Sequence, residues 1–124
     1  MTGLAGFADS FRAAATGLQF AWRTQPHLRF EAFAATVAVA LAVWLQTGLV
    51  AVLLASAIVI VAEMVNTAVE AAVDLASPER RPLAAAAKDA AAGAVLVASA
   101  FAVAIGVAAL GPALWGRLVG GGAP

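Results

Sequence analysis

The chain contains no cysteine and only one histidine, His27. That excludes disulfides, thiolate metal sites, a cysteine nucleophile and any multi-histidine metal centre within one chain. Charge is scarce as well. Only 11% of the 124 residues are charged, and seven basic side chains balance seven acidic ones to a formal net charge of zero. There is no basic footprint for nucleic acid, so none is expected as a partner. Neither Gly-x-x-x-x-Gly-Lys-Ser/Thr nor Gly-x-Gly-x-x-Gly occurs, which excludes a standard soluble nucleotide-binding fold. The first ten residues lack a basic region leading into an apolar run, so no cleaved signal peptide is expected.

Apolar residues take the place of charge: 64% of the chain is hydrophobic and the mean hydropathy is +0.97. A soluble domain averages about half apolar and a quarter charged residues, so this chain cannot cover itself with polar surface in water. An all-α integral membrane protein is expected, with three transmembrane helices and an N-terminal amphipathic surface helix.

Residues 7–24 supply that surface helix. Phe7, Phe11, Ala14, Leu18 and Ala21/Trp22 recur at helical spacing, with Arg12, Thr16, Gln19 and Arg23 on other faces. Such a helix lies in the membrane interface with Trp22 near the headgroups, or packs on other protein. Pro26 breaks or bends the path. Apolar helices are expected over 30–46, 49–76 and 83–110, the last ended by Gly111-Pro112, with a disordered tail at 119–124. Arg12, Arg23, Arg29, Arg80, Arg81 and Lys88 flank one side of the spans, and Arg117 alone flanks the other. This asymmetry puts the N-terminus and the 77–82 loop in the cytoplasm. Ala and Gly saturate the third span, which suits close helix packing and a homo-oligomer that encloses a polar site.

The chemistry lies where polarity interrupts the second span. Glu63, Asn66, Glu70 and Asp74 are three, four and four residues apart, within roughly an 80° sector of a helix. Ionisable groups in a membrane helix cost roughly 2.5–3.5 kcal/mol each and are usually kept for function. Paired carboxylates suit Mg²⁺ carrying phosphates. Lys88, at the same depth, can neutralise charge on a transferring phosphoryl group. A desolvated glutamate can act as general base on a hydroxyl, and Asn66 can orient it. Phosphoryl transfer to a lipid alcohol needs this set. Two other readings use the same residues. The carboxylates can solvate the cytoplasmic boundary, paired with Lys88, Arg80 and Arg81. They can also belong to an ion or proton relay, which predicts acidic residues deeper in the membrane.

The block from Glu63 to Asp74, followed by Ala87-Lys88-Asp89 and Gly93, closely resembles the bacterial diacylglycerol kinase and undecaprenol kinase family. The family pattern is Glu-x-x-Asn-(Ser/Thr)-Ala-(Ile/Val)-Glu-x-x-x-Asp, then Ala-Lys-Asp. Phe11-Arg12-x-Ala14-x-x-Gly17-Leu18 is similar to its N-terminal helix, so the likeness covers about residues 7 to 110. The resemblance implies a single lipid-kinase domain over 1–124 in the inner membrane, forming a homotrimer with shared sites. It implies ATP as donor, Mg²⁺ as cofactor, and diacylglycerol or undecaprenol as acceptor among the membrane lipids. Glu63 would then be the base and Asn66 its partner. Glu70 would ligate the metal, while Asp74, Lys88 and Asp89 would serve the nucleotide beside the loop Glu79-Arg80-Arg81. One position departs from the pattern. Where the family usually has a second metal-ligating glutamate, this chain has Gln25, a neutral ligand, with Glu31 nearby. A weakened or non-catalytic member is the corresponding alternative. The start of the third span looks more like the undecaprenol kinase branch.

Overall fold

A computed structural model describes residues 4–79 and 81–120. Four helices follow one another: α1 (Leu4–Thr24), α2 (Pro26–Leu45), α3 (Leu49–Ala76) and α4 (Pro82–Val119). The last three are long and apolar enough to cross a membrane, and the described residues contain no strand. The protein is thus an all-α membrane protein with three candidate spans.

The joints follow from local chemistry. Gln25 is extended (φ −110°, ψ 103°), as the residue before a proline must be, since the ring clashes with a helical predecessor. Pro26 then opens α2 at its first position, where its missing N–H would have had no partner anyway. The second helix therefore begins at Pro26 rather than at Phe30, which carries Glu31 beyond its first turn. Ala21 and Leu28, 1% and 2% exposed, pin this elbow.

Between α2 and α3 the chain reverses through two left-handed residues. Gln46 (φ 56°) returns its N–H to the carbonyls of Ala42 and Val43, and Gly48 (φ 69°) opens α3. A Cβ on Gly48 would come within 3.0 Å of Ala109 and Leu110, so the turn also needs glycine to pack against α4. Ala42, Leu45, Val52 and Leu110 form the buried cluster at this end.

α4 does not stop at Gly111-Pro112. It continues through Pro112 to Val119. Proline inside a helix costs about 3 kcal/mol in water. Packing of the next turn, Ala113 and Leu114, on the buried cluster at this end offsets that cost, so the helix persists. The Arg117 guanidinium lies 4.9 Å from the ring centroid of Trp44 on α2. Val119 is helical; of the tail expected at 119–124, residues 121–124 lie outside the described part.

Little of the apolar surface is covered by the chain itself. Only 17%, 28% and 6% of the most apolar windows of α2, α3 and α4 are buried, so lipid or further copies must cover the rest. α3 packs most extensively on α4, then on α2, while α1 makes few contacts. The central position of α3 gives its polar stripe neighbours on both sides.

Candidate functional site

At 1.5 Å per residue, a hydrocarbon core of about 30 Å holds some 20 residues of α3, from Leu49 to about Val69. Burial along the stripe follows this depth. Glu63 is 3% and Asn66 7% exposed, Glu70 is half-buried, and Asp74 is exposed. One helix face thus grades from a dry carboxylate to a wet one.

The dry end holds polar groups without partners. The Asn66 Oδ1 is sealed from solvent and accepts no hydrogen bond, and neither does the Glu31 Oε2 on α2. Glu31 lies within electrostatic reach of both Glu63 and His27. A buried unpaired polar atom costs about 1–3 kcal/mol, so each of these two oxygens is a candidate to meet a ligand. Thr67, next to Asn66 and also buried, donates from its hydroxyl to the Glu63 carbonyl at 2.9 Å. That bond satisfies the threonine and leaves the Glu63 carboxylate uncommitted.

In the middle, the elbow carries Gln25 across to α3. Its Nε2 donates to Glu70 Oε2 at 3.3 Å. The extended backbone imposed by Pro26 is what aims this side chain away from α1 and α2. Gln25 and Glu70 therefore meet across 45 positions of sequence.

The wet end is a cleft of about 600 Å³ between the end of α3 and the start of α4. Asp74, Ser77, Glu79, Arg81 and Lys88 line it, with Pro78 and Pro82 shaping its wall. Lys88 Nζ donates to both oxygens of Asp74, at 3.0 and 3.2 Å. Asp74 is 66% exposed, so the pair contributes at most about 1 kcal/mol to stability. Its greater effect is to fix a cation at the cleft. Arg81 reaches Glu79 at a loose 3.5 Å. The N-terminus of α4, opened by Pro82, adds the positive end of its dipole.

The residues singled out from sequence thus fall into three places. Glu63 and Asn66 are buried together, Gln25 meets Glu70, and Asp74, Glu79, Arg81 and Lys88 share the cleft. Asp89 is exposed and does not line the cleft. Arg80 lies outside the described residues. Ser77, Pro78 and Pro82 join the cleft, although their composition marks them only as loop. Glu31 proves to face the dry end, a role that its position near the presumed helix start did not reveal.

As for a metal, the donor set is all oxygen: the Glu70 carboxylate, the Gln25 carboxamide oxygen, and the unpaired Asn66 Oδ1. Hard donors of this kind fit Mg²⁺, which takes one or two carboxylates and completes its shell with phosphate and water. No group of three or more His, Cys, Asp or Glu able to hold a metal alone exists among the described residues. The fit is therefore to a metal that arrives with phosphates.

Comparison with known proteins gives a consistent result. Residues 12–110 match the family model described as prokaryotic diacylglycerol kinase. A protein of Synechocystis sp. named diacylglycerol kinase is 41% identical over 114 residues, covering 89% of this chain and 65% of the relative. One of the same name from Escherichia coli K12 is 38% identical over 104 residues, covering 79% of this chain and 85% of the relative. The chain thus spans just under two thirds of the first relative's length and most of the second's.

Proposed function

This chain belongs to the prokaryotic diacylglycerol kinase family, a family of lipid kinases, and on that premise we propose that it transfers the γ-phosphoryl group of ATP to a membrane lipid alcohol. One observation carries this reading: a single face of α3 runs from the buried Glu63 and Asn66 to a cation-bearing cleft at Asp74 and Lys88. A lipid hydroxyl can arrive only from the dry end and a nucleotide only from the wet end. By the helix rise, Glu63 and Asp74 are about 16 Å apart along the axis, so the two substrates would meet between them.

Glu63, desolvated and with its carboxylate free, would take the proton of the lipid hydroxyl while the lipid oxygen bonds to the γ-phosphorus and the bond to ADP breaks. Asn66 would orient the base or the hydroxyl through its unpaired oxygen. Lys88 and Arg81, with the α4 dipole, would hold phosphate oxygens, while Asp74 and Glu79 would hold those cations in place. Asp89, one residue beyond Lys88, would support the nucleotide site from outside the cleft. Glu70, with the Gln25 carboxamide turned oxygen-inward, would hold Mg²⁺, which when bound neutralises charge on the phosphates. Copies would complete the site: the bare, Ala-rich surface of α4 supports a homotrimer.

Purified protein in mixed micelles with MgATP should phosphorylate diacylglycerol, the acceptor in the relatives' names. Undecaprenol is the second arm, because the α4 start resembles that branch. If a folded oligomer phosphorylates neither, the carboxylates serve only to solvate the boundary. Orientation follows from the arginines, with the site and N-terminus in the cytoplasm of an inner membrane. A reporter fused after Gly122 should therefore be active only outside the cytoplasm; cytoplasmic activity would reverse the topology.

A further inference from the structure

Beyond residue 110, where the family match ends, α4 runs on to Val119. Arg117 in this stretch falls in the same helix sector as Ala113 and Leu114, which pack on the buried cluster near the α2–α3 turn. Side chains on a helix lean toward its N-terminus, so the Arg117 guanidinium reaches back to the ring of Trp44, 4.9 Å from its centroid. Both residues are exposed. The ring attracts the charge but offers no oxygen to the guanidinium's N–H groups. No carboxylate pairs with Arg117 among the described residues. A second copy in the same orientation cannot supply one. All seven acidic side chains lie on α1, near the start of α2, in the second half of α3, or from there to the start of α4. Those positions are at the opposite end of the spans.

We infer that Arg117, steadied on Trp44, binds the headgroup phosphate of an anionic phospholipid in the leaflet opposite the Asp74–Lys88 cleft. Phosphates are the anions that lie at this level. Tryptophan is enriched at headgroup depth, and Trp44 and Trp115 are both exposed here. An anionic lipid fits better than a zwitterionic one, whose own ammonium group competes for its phosphate. The site requires only that the three long helices span, so it stands apart from the kinase reading. What it adds to that reading is depth. Along α3, Glu63 lies about 23 Å and Asp74 about 39 Å from Gly48. With the turn held at one face of a ~30 Å hydrocarbon core, Glu63 stays inside the core and Asp74 stays beyond it.

Tryptophan quenching tests the site. The chain has three tryptophans, so Trp22→Phe with Trp115→Phe leaves Trp44 as the reporter, and bromine atoms in the acyl chains quench a ring that they touch. In phosphatidylcholine vesicles, brominated phosphatidylglycerol should bind beside Trp44 about fivefold more strongly than brominated phosphatidylcholine, the effect of one basic residue at an anionic lipid surface. Arg117→Gln should abolish that preference, and Arg117→Lys should keep part of it. Trp115 lies about 160° around α4 from Arg117. With Trp22→Phe and Trp44→Phe it becomes the reporter, and it should show little preference, a comparison that needs no change at Arg117. Equal binding of the two lipids beside Trp44 would overturn the inference, as would a preference that survives Arg117→Gln. An equal preference at Trp115 would overturn it too, because it would mark a general attraction rather than a site. Loss of the preference on adding inorganic phosphate at constant ionic strength would assign the site to free phosphate instead of a lipid.

Discussion

Glu63→Gln is expected to reduce phosphoryl transfer by about 10²–10⁴-fold, the range that a positioned general base contributes. The substitution keeps the shape and removes only the basic oxygen, so packing around this 3%-exposed side chain should hold. Nucleotide binding should change little, because Glu63 lies about 16 Å along α3 from the cleft at Asp74. The expected signature is a collapsed kcat with an almost unchanged affinity for MgATP, the mark of an interaction made in the transition state. Asn66→Ala should show the same signature more weakly, since it would orient rather than accept the proton. If Glu63→Gln kept a tenth or more of wild-type turnover, the base would have to be sought elsewhere, and Glu31, a half-buried carboxylate with one sealed, unpaired oxygen, would be the next to test. Loss of MgATP affinity together with kcat would mean that the nucleotide reaches deeper than the cleft.

The difference between what sequence revealed and what it concealed is physical. Helical spacing places Glu63, Asn66, Glu70 and Asp74 on one face because a helix has a fixed period, and hydropathy places that face at a membrane boundary. Both properties are local. Gly111-Pro112 reads as a helix end because the proline signal is local, whereas the turn beyond it is held by Ala113 and Leu114 packing on residues of α2 and α3, which no local pattern encodes. The contact of Gln25 with Glu70 depends on an elbow angle and on which way α1 leaves it, and no local pattern encodes that. Glu31 was legible as a nearby acid but not as a neighbour of Glu63, because its environment is built from three helices. Asp89 shows the converse. The Ala-Lys-Asp block reads as one unit in sequence, yet a step of about 100° per residue turns Lys88 into the cleft and Asp89 out of it.

Glu70→Gln should raise the Mg²⁺ concentration for half-maximal activity by about 10–100-fold, since even outer-shell changes at metal sites cost that much. The reason lies in the donor count. Where the family pattern has two carboxylates, this chain has the Glu70 carboxylate and the Gln25 carboxamide, so one charge carries most of the attraction. The present contact, Gln25 Nε2 to Glu70 Oε2 at 3.3 Å, steadies that single carboxylate while no cation is bound. Gln25→Glu reverses the balance. Two carboxylates would face each other and repel without metal, and would share a cation tightly with it. Half-maximal Mg²⁺ should then fall by about tenfold, equivalent to roughly 1.4 kcal/mol. The Mg²⁺-dependent rise in Tm should grow as well, a readout independent of turnover. Glu31→Gln separates the alternatives, because Glu31 is the other carboxylate that could make up the missing charge. A large Mg²⁺ effect at Glu31 with none at Gln25 would move the metal toward Glu31. The opposite result would place Gln25 against the metal.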